Sequence, residues 1–372
     1  MKIAFYSFLN LRNGAGFERW IEQVAPTLKD IGHDITVITS KYGMQNDMKI
    51  QDLLSSSRIK VYEFNNCTKP FKIPKIREVR NILNLISDTD ILYFNNAYAL
   101  NEVIIEVLRK MTKVKVISGH HGTFPEQGNV MRRTYHRFIN KKINKRYDGH
   151  HALNQERENV LKSWGYKNVN KIPYGVNTEK FKPGDKADVF TIMFAGNMFH
   201  QKGIDRFAAV VKYINSKLSS TNNEIQFLVY GSGPLSHIAV DLEKQYQNVK
   251  YIGYAYGEDL EKAFRKAHVF IFPSRFEEFG LVNLEAQSSG TPVISSDIPG
   301  PRDIIINGQT GFLVNTEILE EMIKPLLDLE RLYYSNDQKY HNYCINARKN
   351  ALRFDWNTVI HELDHMLRAS VS

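Results

Sequence analysis

At 372 residues the chain exceeds one ordinary hydrophobic core and predicts two domains. Its 42% apolar, 24% charged and 12% aromatic residues exclude an intrinsically disordered chain. The net charge of +9 points to an anionic partner, with nucleotide phosphates, nucleic acid and acidic lipid all open at this level.

The first element in chain order is Lys2–Ser7, a buried strand rather than a secretory signal. Its apolar stretch is short and runs into Asn10 and Arg12 without a small-residue cleavage site. No apolar run approaches the ~20 residues that span a bilayer. The two cysteines, Cys67 and Cys344, form no Cys-x-x-Cys pair, which argues against a disulfide scaffold or a thiolate zinc site. The expected location is therefore the cytoplasm. A helix follows with apolar positions Trp20, Ile21, Val24, Leu28 and Ile31 near 3.6 spacing, kinked at Pro26 and stopped by Gly32. Further strands are predicted at Asp34–Thr39, Ile59–Phe64, Ile91–Phe94, Val114–Ser118 and Val169–Pro173. The alternation restarts after Gly175, with strands at Thr191–Ala195, Ile225–Tyr230, Val249–Ile252, Val269–Phe272 and Pro292–Ser295. Strands alternating with helices imply parallel sheets built from βαβ units. Ile172–Asn177, with its Pro and Gly, reads as the hinge, and the tail from Asn336 reads as helical.

The sharpest chemical signal is Phe272–Ala286, where Glu277 and Glu285 stand eight residues apart and bracket Gly280. Phe279-Gly280-Leu281 would present backbone N–H groups at a helix start, where the dipole favours an anion. A carboxylate before such a turn can accept hydrogen bonds from sugar hydroxyls, and one two turns into the helix can reach a ribose. For two glutamates alone, a solvated acidic patch remains the plainer reading.

The flanking sequence changes that balance. The stretch resembles the glutamate-x7-glutamate signature of the retaining family 4 glycosyltransferases of the GT-B fold. Further blocks follow in that family's order. Asn13–Glu18 resembles its N-terminal glycine-rich loop, Gly32–Val37 the strand that follows, and His121-Gly122 its His-Gly. Ile172–Asn177 is similar to its interdomain segment, and Gly196–Gly203 to its Gly-Arg…Lys-Gly loop. Tyr230–Pro234 is similar to its Gly-x-Gly-Pro turn, and Ser289–Ile294 to its Gly-x-Pro-Val strand.

The resemblance implies an α/β, GT-B-like architecture: two Rossmann-like doubly wound domains facing across a cleft. Residues 1–172 would bind the acceptor and residues 173–354 the nucleotide sugar, with helix 355–372 crossing back to the first domain. It implies catalytic roles for Glu277, Lys202 and His121, with His120 as the register alternative to His121. It implies donor contacts from Gly16, Asn197, Gly231, Phe279, Gly280, Leu281, Val282 and Glu285. The one marked departure is Asn197, where the family pattern has Arg: either Lys202 and the helix start suffice, or a nearby cation such as Arg275 or Arg302 substitutes, or catalysis is weakened. Ala15 in place of a usual Gly is a milder change.

Two decoys and one surface complete the reading. His361-Glu362-Leu363-Asp364-His365 fits a zincin pattern, but Met366–Ser372 supplies no third ligand. Asp88-Thr89-Asp90 matches a metal-binding Asp-x-Asp, but joins a helix to a strand and reads as helix-end capping. No metal and no cofactor are expected, only a nucleotide diphosphate sugar as co-substrate. Arg132–Arg146 carries seven Lys/Arg and no acid, with Met131, Tyr135, Phe138, Ile139 and Ile143 on one helical face. That face either packs on the first domain or lies on anionic lipid, and a second basic stretch, Lys69–Arg80, adds to the case for lipid. Nucleic acid is not expected, since no recognition motif accompanies the charge.

The expected function is thus a metal-independent retaining glycosyltransferase of the hexosyl type, acting on a saccharide or lipid-linked acceptor. Other nucleotide-sugar chemistry (an epimerase or phosphorylase) and a non-catalytic sugar-nucleotide-binding subunit are the alternatives.

Overall fold

Runs of β-branched and aromatic residues, each followed by an amphipathic helix, fold into two separate parallel sheets in the computed structural model, which describes residues 1–8, 16–41, 54, 57–65, 74–96, 100–122, 130–218 and 224–371. The first unit comprises Met1–Tyr174 with Trp356–Ser372, and the second Gly175–Asp355.

The first sheet holds β1 (Lys2–Ser7), β2 (Asp34–Ser40), β3 (Lys60–Phe64), β4 (Ile91–Asn95), β5 (Lys115–His120), β6 (Gly149–Ala152) and β7 (Val169–Lys171). Their order is β3-β2-β1-β4-β5-β6-β7, with every pair parallel. The second sheet holds β8 (Phe190–Ala195), β9 (Ile225–Tyr230), β10 (Val249–Gly253), β11 (Val269–Phe272), β12 (Val293–Ser296) and β13 (Gly311–Val314), in the order β10-β9-β8-β11-β12-β13, again parallel throughout. In each sheet the order reverses beside the first strand, between β1 and β4 and between β8 and β11. Right-handed crossovers then place helices on both faces and open a crevice at the carboxyl ends of those two strands.

Helix Gly16–Asp30 runs through Pro26 and buries Phe17, Trp20, Ile21, Val24, Ala25 and Leu28. The last helix, Trp356–Ala369, buries Val359, Ile360, Leu363, Met366 and Leu367 and belongs to the first unit, although the preceding helix, Gln338–Leu352, lies in the second. Each such side chain contributes up to about 2 kcal/mol. A polar latch fixes its register: Asp364 Oδ1 lies 2.8 Å from His33 Nε2 and also accepts from Arg368 Nε at 3.0 Å.

Several details depart from the sequence-based reading. Strand β6, Gly-His-His-Ala, was not expected, and neither was β13. Asp88 and Asp90 do not cap a helix. Asp90 Oδ2 accepts the Lys2 backbone N–H at 2.7 Å and Asp88 pairs with the Lys2 ammonium, so both tie down the start of β1. His361 and His365 are exposed, and the described residues contain no cluster of three or more metal-ligating side chains.

The basic helix differs most. It runs as Val130–Tyr135, a π turn at His136–Asn140, and Lys141–Asn144. Its buried face is polar, formed by His136, Asn140 and Asn144 at i, i+4 and i+8. Val130, Met131, Phe138 and Ile139 are exposed, while Tyr135 and Ile143 are half-buried. Of the two readings of the apolar stripe, packing of the whole stripe on the domain is not what is found: buried polar groups bond to one another there, and most of the stripe faces outward. Asn140 Nδ2 donates to Glu102 Oε1 at 2.5 Å, and Asn96 Nδ2 to Asn144 Oδ1 at 2.8 Å.

Candidate active site

The loops after β8 and β11 meet at the second sheet's switch point. After β8 the chain makes a 3₁₀ turn, His200–Lys202, ended by Gly203 at φ +75°. A Cβ on Gly203 would overlap the Pro273 carbonyl oxygen, so glycine is what lets this loop dock against the one after β11. The docking is fastened by polar straps. The Arg275 N–H and Ser274 Oγ donate to the Gln201 carbonyl at 2.7 and 3.0 Å, and Gln201 Nε2 donates to the Phe276 carbonyl at 3.1 Å. Held this way, Lys202 Nζ lies 2.5 Å from Glu277 Oε2 and 5.6 Å from the Phe272 ring centroid. The two side chains are 23% and 15% exposed, sheltered from bulk water yet reachable.

Gly280 at φ +92° begins helix Leu281–Ser288, and no side chain caps this end. The first N–H groups of a helix have no partner within it, so those at Leu281 and Val282 are donors for an anion. A Cβ on Gly280 would press on Asn283 and Glu277. Gly300 plays a part that sequence reasoning missed: a Cβ there would come within 2.8 Å of Phe279 N, Phe279 O and Glu277 O. Its bare Cα lets the start of helix Pro299–Ile304 buttress the Glu277 loop. Phe279 is buried, anchored beside Phe354, and Glu285 is half-buried two turns beyond Glu277.

Gly196 and Asn197 are held by the turn after β9. The Met198 N–H donates to the Ser232 carbonyl at 2.8 Å, and Gly231, at φ +125°, packs so tightly that a Cβ would overlap the Gly196 carbonyl oxygen. Gly231→Ala is expected to destabilise the second unit by at least about 2 kcal/mol, combining backbone strain with this overlap. A thermal melt of the variant checks it.

Asn197 itself is exposed. The two arginines named as substitutes for a cation at 197 are engaged elsewhere, which corrects that expectation. Arg275 makes two bonds to Asp205, at 2.8 and 2.6 Å, and a third to the His200 carbonyl at 2.6 Å. The Asp205 carboxylate raises the Arg275 pKa and is in turn lowered by it. Arg302 binds Asp297 at 2.6 Å. Arg206 holds Thr316 and Glu317 at 2.8 and 3.0 Å. Lys202 is the cation that the described residues direct at Glu277.

His121 and Gly16 belong to the first unit. Gly16 begins helix Gly16–Asp30, whose Phe17 and Trp20 pack against the His121 ring with centroids 5.0 and 5.1 Å away. Asn13–Ala15 lie outside the described residues, as do Cys67 and Lys69–Ile73. Strand alternation sends neighbouring histidines to opposite faces. His120 turns toward Ser118 and His150, while His121 shares its face with Tyr93 and His151. His121 Nε2 lies 2.6 Å from the Tyr93 hydroxyl and Nδ1 2.9 Å from that of Tyr174. Burial, with His151 and Arg157 nearby, holds its pKa well below the usual histidine value. The doublets His120-His121 and His150-His151, with Gly119 directly before the first, were the available sequence signal for this cluster.

Two doubly wound domains, one with an ammonium–carboxylate pair and an uncapped helix start at its switch point, define a nucleotide-binding transferase architecture of the GT-B class. Residues 14–180 match the glycosyltransferase family 4 model and residues 176–350 the glycosyl transferases group 1 model, so the chain belongs to this glycosyltransferase family.

Among relatives, it is 31% identical over 179 residues to the UDP-Gal:alpha-D-GlcNAc-diphosphoundecaprenol alpha-1,3-galactosyltransferase of Escherichia coli, covering 43% of this chain and 44% of that protein. It is 32% identical over 129 residues to the 2-deoxystreptamine N-acetyl-D-glucosaminyltransferase of Niallia circulans, covering 33% and 31% respectively. In both alignments the chain spans less than half of the relative's own length. The crystal structure of Anabaena Alr3699/HepE in complex with UDP superposes with a TM-score of 0.79 at 18% identity, over 99% of this chain and 100% of that one, which establishes the fold.

Proposed function

We propose that the chain is a retaining, metal-independent hexosyltransferase that moves a sugar from a nucleoside diphosphate to a saccharide or lipid-linked acceptor. Donor binding is assigned to residues 173–354, and acceptor binding to residues 1–172 with the terminal helix 355–372. The observation that carries this reading is the Lys202–Glu277 contact beside the uncapped start of helix Leu281–Ser288. Lys202 and the N–H groups of Gly280–Val282 supply the positive charge that a departing diphosphate requires, which makes a divalent cation dispensable. Glu277, released from Lys202, accepts hydrogen bonds from the sugar hydroxyls, and Glu285 binds the ribose. Asn197, Gly231 and Phe279 shape the donor pocket. The family resemblance assigns His121 to the transferred sugar and Gly16 to the phosphates. No cofactor enters the scheme.

Retention follows from the family resemblance. The acceptor oxygen bonds to the anomeric carbon on the face from which the diphosphate leaves. The anomeric C–O bond breaks with its electrons going to the phosphate, and the acceptor proton passes to a phosphate oxygen. The lipid-linked acceptor in the Escherichia coli relative's name supports that half of the proposal. A panel of nucleotide sugars, with nucleoside diphosphate release followed with and without acceptor, tests the reading. Release from one donor that depends on Glu277 supports it; binding without release from any donor, with each candidate acceptor present, identifies a binding subunit instead.

The outward face of the basic helix supports work at the inner surface of a membrane. Val130, Met131 and Phe138 are 69%, 71% and 57% exposed, among exposed Arg133, Arg137, Lys142, Lys145 and Arg146. No helix among the described residues is long and apolar enough to cross a membrane. Each basic residue near an anionic surface contributes about 1 kcal/mol. Arg133→Glu with Arg137→Glu is expected to weaken sedimentation with phosphatidylglycerol vesicles by at least about tenfold. Equal sedimentation of both proteins, or equal binding to phosphatidylcholine alone, contradicts the assignment.

A further inference from the structure

The His121 cluster has a proton arrangement that can be deduced from one end. His151 Nε2 lies 2.6 Å from the Ile172 carbonyl oxygen, which can only accept, so Nε2 carries the proton. Burial depresses the His151 pKa to about 4, so the ring is neutral near pH 7 and its Nδ1 is bare. The Tyr93 hydroxyl, 2.6 Å from that Nδ1, must spend its single proton there. Its oxygen is then left to accept from His121 Nε2–H, also at 2.6 Å. His121, likewise neutral, has a bare Nδ1, and the Tyr174 hydroxyl donates to it at 2.9 Å.

We propose that this chain, Tyr174 to His121 to Tyr93 to His151 to the Ile172 carbonyl, locks His121 in its Nε2–H tautomer, making Tyr93 and His151 positioning residues for His121. The inference rests on the assignment of His121 to the sugar. It specifies what that contact accepts: once Tyr174 yields its place, Nδ1 receives an O–H donor such as a sugar hydroxyl and offers nothing to a phosphate or carboxylate oxygen. Gly119 makes the arrangement possible, since a Cβ there would overlap the Tyr93 hydroxyl. The other groups facing the ring are Phe17 and Trp20 from helix Gly16–Asp30, with the Arg157 charge, from helix Gln155–Ser163, further opposing protonation. The stacked Tyr174 ring, 5.5 Å away at 22°, closes the remaining side.

Nitrogen-15 NMR of histidine-labelled protein reads the tautomer directly, without any activity. His121 is expected as a single Nε2–H form that does not titrate between pH 8 and roughly 5.5. Tyr93→Phe removes the hydroxyl that links the two rings. It is expected to give His121 mixed tautomers, to raise its titration midpoint by at least about one pH unit, and to lower kcat roughly tenfold with little change in donor KM. His151→Gln, whose amide can still accept from Tyr93, should keep the tautomer. A wild-type His121 that carries its proton on Nδ1, or that titrates near 6.5, overturns the proposal even if the enzyme transfers sugar. The predicted tautomer without any loss of kcat in Tyr93→Phe removes only the sugar assignment, leaving the proton arrangement intact.

Discussion

Glu277→Ala is expected to lower the rate of sugar transfer roughly a thousandfold while the protein still folds and binds nucleoside diphosphate. The carboxylate touches Lys202 in the free enzyme; in the proposed reaction it first holds the ammonium in place and then turns to the sugar. Removing it therefore leaves diphosphate binding largely intact, or tighter, because Lys202 is no longer neutralised. Lys202→Ala is expected to act the other way, weakening nucleoside diphosphate binding by about tenfold or more as well as slowing turnover. The two losses should be far from additive, since each variant disrupts the same charge arrangement. Calorimetric titration with UDP alongside steady-state rates separates these effects. A Glu277→Ala protein that loses binding and turnover together, with an unchanged melting temperature, would place the carboxylate on the nucleotide instead.

The second large effect concerns acid. His120, His150 and His151 are buried and His121 is half-buried in the first unit, and all four are held neutral chiefly by desolvation, with His150 and His151 near pKa 3 and 4. In the unfolded chain they titrate near 6.5. Below that value the unfolded state takes up protons that the folded state refuses, so stability is full above about 6.5 and falls as pH drops toward the folded values. At pH 5.5 each histidine costs roughly 1.2 kcal/mol relative to pH 7, about 5 kcal/mol for the four. Glu102 works in the opposite direction, because burial raises its pKa and favours its protonated form. The first unit should therefore melt markedly earlier at pH 5.5 than at pH 7.5, while the second, with His268 alone in this class among its described residues, loses less. A single melting transition unmoved between these pH values would mean that the four rings are not kept neutral by the fold.

The sheets were legible because strands such as Phe190–Ala195 and Val269–Phe272 are continuous apolar runs, bounded by turn residues, as doubly covered parallel strands require. The site loops were legible because Gly203, Gly231 and Gly280 occupy backbone conformations that few other residues tolerate, and the chain records that need as glycine. Strand β6 escaped notice because Gly-His-His-Ala has no strand-like pattern. His150 and His151 become acceptable core residues only through partners some 20 to 60 residues away in sequence. Which way the Arg132–Arg146 stripe turns stayed open for the same reason, since apolar periodicity says nothing of a buried Asn140 that finds Glu102. Arg275 and Arg302 looked available only until Asp205 and Asp297 were seen to hold them.

The most direct measurement is a crystal structure of the chain soaked with a nucleoside diphosphate. The diphosphate oxygens should lie about 3 Å from Lys202 Nζ and from the backbone nitrogens of Leu281 and Val282, with the ribose hydroxyls on Glu285 and Glu277 freed from the ammonium. A nucleotide bound away from the β8–β11 switch point, with the Lys202–Glu277 pair still closed, would contradict the account.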